Sequence, residues 1–170
     1  MAESQKKLIT IRLAVAEDAA AIVDFVRDLH AEGIDTIHPP RRTVEEQANV
    51  ISSWEGQRSF GIVALSGGRV IGHLVFICGG LPHNEHAGFF GIAIARAGRG
   101  QGVGTRLIKE MEDRVRAYTD LCRIELEVMA RNEAAIRLYE RLGYVMEGRK
   151  RKATNTTGTP EDLIIMAKVW

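Results

Sequence analysis

Polar and apolar residues alternate over 8 to 15, Leu-Ile-Thr-Ile-Arg-Leu-Ala-Val, which predicts an opening strand. From Glu17 to Ala31 the period changes. Ala19, Ile22, Val23, Val26 and Leu29 recur every three or four residues, as on one face of a helix, and Glu17 and Asp18 suit its N-terminal end. Pro39 and Pro40 break the chain. Thr43-Val44-Glu45-Glu46 then has the form of a capping box, and Val44, Ala48, Ile51 and Trp54 continue a helical stripe. Phe60 to Leu65 and Arg69 to Cys78 are apolar, β-branched runs around Ser66-Gly67-Gly68, the pattern of a hairpin. After a loop from Gly79 to His86, Ala87 to Ala95 adds a third strand in antiparallel succession. A glycine-rich stretch, Arg99 to Gly104, leads into a long helix whose apolar face is Val103, Leu107, Ile108, Met111, Val115 and Tyr118. Arg123 to Met129 alternates again. Asn132 is a good N-cap for the next helix, which turns Ala135, Ile136, Tyr139 and Leu142 inward and stops at Gly143. Two last strands, Tyr144 to Lys152 and Asp162 to Val169, flank a polar turn from Thr154 to Pro160.

Length and charge narrow the class. The 170 residues fit one domain, residues 1–170, and 23 basic against 22 acidic side chains leave a net charge of +1. No overall basic field is present to hold nucleic acid or an anionic membrane. No apolar stretch approaches the ~20 residues that cross a bilayer, and the polar start lacks the apolar core of a secretion signal, so a cytoplasmic location is expected. Cys78 and Cys122 lie in apolar runs without a nearby cysteine partner and are expected to be buried, reduced thiols. His83 and His86 share a polar loop without further ligands at metal-site spacing, so no metal is expected.

The glycines between residues 98 and 104 stand between a strand and the first turn of a helix. Glycine permits a sharp turn and a close approach, and the unpaired amides of a first helical turn point at an anion. A phosphate cradle and a merely tight connection both fit the glycine count. Spacing excludes two common cradles. Counting Gly-x-Gly-x-x-Gly from Gly98 ends on Val103 and from Gly100 on Thr105, and Gly104 is followed by Thr105 with no lysine of the P-loop kind. What remains is Arg-x-x-Gly-x-Gly, formed by Arg99, Gly102 and Gly104.

That pattern, between a strand and an amphipathic helix, resembles the pyrophosphate loop of the GNAT superfamily of acetyl-CoA-dependent N-acetyltransferases. Downstream, residues 124 to 144 are similar to the superfamily's next strand and helix, with Asn-x-x-Ala-x-x-Leu-Tyr-x-x-x-Gly-Tyr in this chain. The likeness is close over about residues 87 to 148. Gly148 and the stretch from Asp162 to Met166 look like bacterial members that act on amino acids, related small amines or protein N-termini.

The resemblance implies an α/β (α+β) single-domain fold. Its central sheet is mixed and mostly antiparallel, with about seven strands, about four helices and a splayed parallel strand pair. It implies acetyl-CoA as co-substrate and a primary amine of a small molecule, amino acid or peptide N-terminus as acceptor, attacked directly in a ternary complex. The backbone of Ile92, Ala93 and Ile94 would hold the pantetheine arm, with Gly91 as a bulge that opens the gap and an N–H near Ile92 facing the oxyanion. Arg99, Gly100, Gln101, Gly102, Val103, Gly104 and Thr105 would hold the pyrophosphate, and Asn132 would add a side-chain contact. Tyr139 would be the general acid that protonates the leaving thiolate. Where some relatives carry a glutamate, this chain has Gly88. That leaves Glu85, His86 and Glu127 as candidate bases and keeps open a catalytically silent CoA-binding sensor or interaction module. Acceptor contacts are expected from residues 29–42, with Glu32, Asp35 and His38 as candidates, and from the last hairpin. The Arg149-Lys150-Arg151-Lys152 run reads as a solvated strand end, and the exposed C-terminal strands suit a homodimer.

Overall fold

A computed structural model describes residues 8–33, 42–118, 120–155 and 158–170. Asp35, His38, Pro39 and Pro40 lie outside the described residues, as does part of the turn between the last two strands. The elements are β1 (Ile9–Leu13), α1 (Ala19–Ala31), α2 (Val44–Ser52), β2 (Phe60–Ser66), β3 (Arg69–Cys78) and β4 (Ala87–Ile94). They continue with α3 (Val103–Val115), β5 (Arg123–Met129), α4 (Glu133–Arg141), β6 (Val145–Thr154) and β7 (Glu161–Val169). The seven strands form one sheet in the order β1-β2-β3-β4-β5-β7-β6, all neighbours antiparallel except β4 and β5.

Side-chain alternation along β2 explains why the sheet is covered on both faces. Ile62 and Ala64 point into a core with Leu74, Phe76, Leu107 and Met111, while Val63 points to the other face, against Ile22, Phe25 and Leu29 of α1. Helices α1 and α2 therefore cover one face, and α3 covers the other. Fully buried side chains such as Leu107 and Met111 each contribute about 2 kcal/mol of apolar burial.

The strand after the N-terminus is shorter than the pattern predicts for a local reason. The amide of Val15 donates to the Asp18 carboxylate at 2.9 Å, and the chain turns there. Asp18 does not simply favour a helix start: it is buried and takes two bonds from the Arg12 guanidinium, at 2.6 and 2.8 Å. The capping box of α2 forms as expected, with Thr43 Oγ1 accepting from the Glu46 amide at 3.1 Å and Glu46 Oε2 from the Thr43 amide at 2.7 Å. Helix α3 ends at Val115, so Tyr118 packs on the core from the following turn.

Two other expectations need correction. Gly91 is not a bulge in the β3–β4 ladder, because it pairs with Val75 in unbroken register between Phe90↔Phe76 and Ile92↔Leu74. Cys78 and Cys122 are free thiols, but half-buried, and Cys78 Sγ lies 3.6 Å from the Glu85 carbonyl.

Candidate active site

The gap in the sheet comes from divergence of the one parallel pair. Ala87, Gly88 and Phe89 pair with Arg123, Ile124 and Glu125, and the ladder ends there. Beyond it β4 keeps only β3 as a neighbour. Backbone direction along β4 follows from its two ends. The Ala87 carbonyl accepts from Gly79 at 2.8 Å and the Ala95 amide donates to Ile71 at 3.0 Å, so the odd-numbered residues face β3. The even-numbered residues, Ile92 and Ile94 among them, therefore direct their amides and carbonyls into the gap. In agreement, the His86 carbonyl accepts from Cys122 at 3.0 Å, and the Ile94 carbonyl accepts from Arg99 Nε at 3.3 Å.

This gap widens into a cleft of about 1130 Å³ that ends on the first turn of α3. Gly100 and Gly102 adopt left-handed backbone angles, φ +69° and +73°, which a residue with a Cβ reaches only at a cost of about 1–2 kcal/mol. That turn leaves the amides from Gly100 to Thr105 without a backbone acceptor among the described residues, and the first to return to the ladder is Arg106, bonded to the Gly102 carbonyl at 3.0 Å. Unpaired amides and the positive end of the helix dipole thus meet at one point of the cleft.

Of the sequence-predicted residues, Ile92, Ala93, Ile94, Arg99, Gly100, Gly102, Val103, Gly104, Thr105, Asn132 and Tyr139 all line the cleft. Gln101 does not, because its side chain turns back to donate to the Ala97 carbonyl. Asn132 caps α4, its Oδ1 accepting from the Ala135 amide at 3.2 Å. Tyr139 is buried, edge-on to Phe90 and Tyr144 at ring separations of 5.9 and 6.1 Å. Burial alone pushes its hydroxyl up to about 12, so it stays protonated at neutral pH.

The candidate bases separate by position. Glu127 lines the cleft and pairs with Lys150 of the basic run, whereas Glu85 and His86 lie in the β3–β4 loop and do not line it. At Gly88 a carboxylate has no room, because even a Cβ would overlap the buried Phe76 ring. Arg149 is paired with Asp162 at 2.7 Å, so half of the basic run is already neutralised by neighbouring strands.

A second cavity, of about 310 Å³, lies on the other face of β4, between the sheet and the α1–α2 pair. It shares Phe89, Gly91, Ile92 and Ala93 with the cleft, so the two spaces meet across β4. Sequence reasoning missed this wall. Trp54 reads as part of a helical stripe and Val75 as part of a strand, Phe25 is not singled out, and no sequence signal marks an opening on that face. Glu32 lines the cleft and not this second cavity.

Strand order, divergent parallel pair and amide-lined helix start define an acyltransferase architecture. The acetyltransferase (GNAT) family pattern matches residues 23–144, and the chain belongs to that family. It is 29% identical over 164 residues to the L-amino acid N-acetyltransferase AaaT of Escherichia coli (strain K12), covering 95% of this chain and 98% of that one. Its fold matches the crystal structure of a GNAT-family acetyltransferase from Streptococcus pneumoniae with a TM-score of 0.89, at 25% identity over 95% of this chain and 99% of the other. It also matches yncA from Salmonella typhimurium, determined with its cofactor acetyl-CoA, with a TM-score of 0.84, at 20% identity over 95% and 93% of the two chains.

Proposed function

We propose that the chain transfers the acetyl group of acetyl-CoA to a primary amine by direct attack while both substrates are bound. The observation that carries this reading is the row of amides from Gly100 to Thr105, without a backbone acceptor among the described residues, at the end of a cleft of about 1130 Å³. In this reading those amides and Arg99 hold the diphosphate, Gln101 contributing through its main chain. Ile92 and Ile94 pair their outward backbone groups with the amides of the pantetheine arm, as an added strand would. Asn132 offers its Nδ2, since its Oδ1 is in use as a cap.

The thioester supplies an activated acyl carbon, and the chain's groups manage charge and protons around it. The Ile92 amide is preorganised for the developing oxyanion. Tyr139 keeps a proton available for the departing thiolate. Glu127 takes the proton lost by the amine, directly or through water, and the reading uses no metal. The name of the Escherichia coli relative supports an amino acid, or a related small amine or peptide N-terminus, as acceptor.

The test is thiol release from acetyl-CoA over a panel of amines, alongside calorimetry with CoA. Tyr139→Phe should lower turnover about 10²–10⁴-fold with CoA affinity unchanged. A wild-type chain that binds no CoA, or a Tyr139→Phe variant with full turnover, sinks the assignment.

A further inference from the structure

The second cavity has a composition that selects among amines. Its walls are Ile22, Phe25, Val26, Trp54, Val75 and Ile77, and its polar groups are Arg42, Gln47 and His73. Among the described residues no carboxylate lines it, and Arg42 brings its one permanent charge, with Arg42 Nη1 3.4 Å from Gln47 Oε1. Its volume of about 310 Å³ lies at the small end of the roughly 300–1,000 Å³ typical of ligand sites, which suits a single side chain and its backbone.

These features exclude some acceptor classes by physical cost. A polyamine or an aminoglycoside carries further ammonium groups after one amine is committed, and each would enter walls that are apolar and, among the described residues, hold no counter-charge. An acidic amino acid would place its side-chain carboxylate against Val, Ile and Phe. A free α-amino acid with an apolar side chain matches every wall: aliphatic or aromatic carbon against Phe25, Val26 and Trp54, and its α-carboxylate against the Arg42 guanidinium. Phe89, Gly91 and Ala93 occupy the shared face of β4, and Gly91 leaves the space between its two neighbours without a side chain. The residues that line both spaces mark where an amine held in this cavity would meet the cleft.

We propose that this cavity is the acceptor site for free L-amino acids with apolar side chains, with Arg42 binding the α-carboxylate and Trp54 and Phe25 enclosing the side chain. The proposal deepens the acetyl-transfer reading and rests on it, but amino-acid binding is measurable without turnover. Calorimetry with L-phenylalanine should show saturable binding, weakened about tenfold or more for L-phenylalaninamide, which lacks the carboxylate charge, and by a similar factor for L-alanine. Arg42→Ala should remove the difference between phenylalanine and its amide. Val50→Phe, which adds a ring at the cavity wall, should weaken phenylalanine and leave alanine unchanged, a reversal that a folding defect would not produce. In the acetylation assay, phenylalanine should outrun spermidine by at least about tenfold.

Acetyl transfer to spermidine with no binding of phenylalanine overturns the proposal and leaves the transfer reading standing. Saturable phenylalanine binding with no transfer to any amine does the reverse. Equal affinity for phenylalanine and its amide overturns the role of Arg42.

Discussion

At the scale of single residues, Gly88 and Glu127 bear on the proposed removal of the amine's proton. Phe76 fills the space a side chain at position 88 would need, and it is fully buried, so the ring has nowhere to go. Gly88→Ala should therefore destabilise the fold by about 1–3 kcal/mol, the usual cost of overpacking, and Phe76→Leu in the same chain should restore part of it. Chemical denaturation of the parent and these two variants checks this, and full stability of Gly88→Ala would contradict the packing. With that position closed to a carboxylate, Glu127 is the candidate base that reaches the cleft. If it takes the amine's proton, Glu127→Gln should lower turnover at neutral pH about 10²-fold and recover as pH rises, when more of the acceptor is already uncharged. A variant with an unchanged pH–rate profile removes Glu127 from the chemistry.

At the scale of elements, the two proposed substrate sites rest on different helices. The first turn of α3 faces the cleft, while α2 forms part of the second cavity and is fixed by the Thr43–Glu46 capping box. Thr43→Ala should cost about 1 kcal/mol of stability. Because α2 and not α3 is loosened, the KM for the acceptor should rise while that for acetyl-CoA stays put, and steady-state kinetics with each substrate varied would read the difference. Equal rises in both would count against this division. The same elements indicate what the sequence could convey. Period and capping residues disclosed nearly every helix and strand, because those signals are local. The loop around Gly102 was legible for the same reason, since its glycines are needed where they stand. The divergence of β4 from β5 was not legible from periodicity, since it depends on where a ladder stops between strands separated by a helix. Resemblance supplied it, and it also suggested a bulge at Gly91 that the Val75 pairing rules out. The cavity behind β4 stayed hidden because Phe25, Trp54 and Val75 have the composition of any core.

At the scale of the whole molecule, acid should act mainly through one pair. Hydrogen bonds from the Arg12 guanidinium hold the Asp18 carboxyl below its usual range, and bonds from Arg123, Arg58 and the Lys152 amide do the same for Glu147, Asp120 and Asp162. Each such group stabilises the fold fully above the ordinary carboxylate value of about 4, and that contribution is lost as pH falls through the lowered folded value. Glu147, Asp120 and Asp162 are solvated, so screening leaves Asp18 as the main source. Thermal unfolding should thus be flat from pH 7 to about 5 and fall steeply below about 4, and Asp18→Asn should be less stable by about 1–2 kcal/mol at pH 7 with a shallower acid limb. An acid limb as steep as that of the parent would assign the loss elsewhere. No helix among the described residues is long and apolar enough to cross a membrane. The outer strands β1 and β6 remain, each with one side unpaired among the described residues. In β6 the register with β7 shifts twice, between Met146 and Gly148 and between Lys150 and Thr154, and Lys152 takes a left-handed turn at φ +51°. Strand β1 is five residues long, and its Ile9 carbonyl is occupied by Arg106 at 3.0 Å. A guest strand could zip onto either border for only a few residues before losing step, so the sheet resists growing sideways into fibrils when crowded.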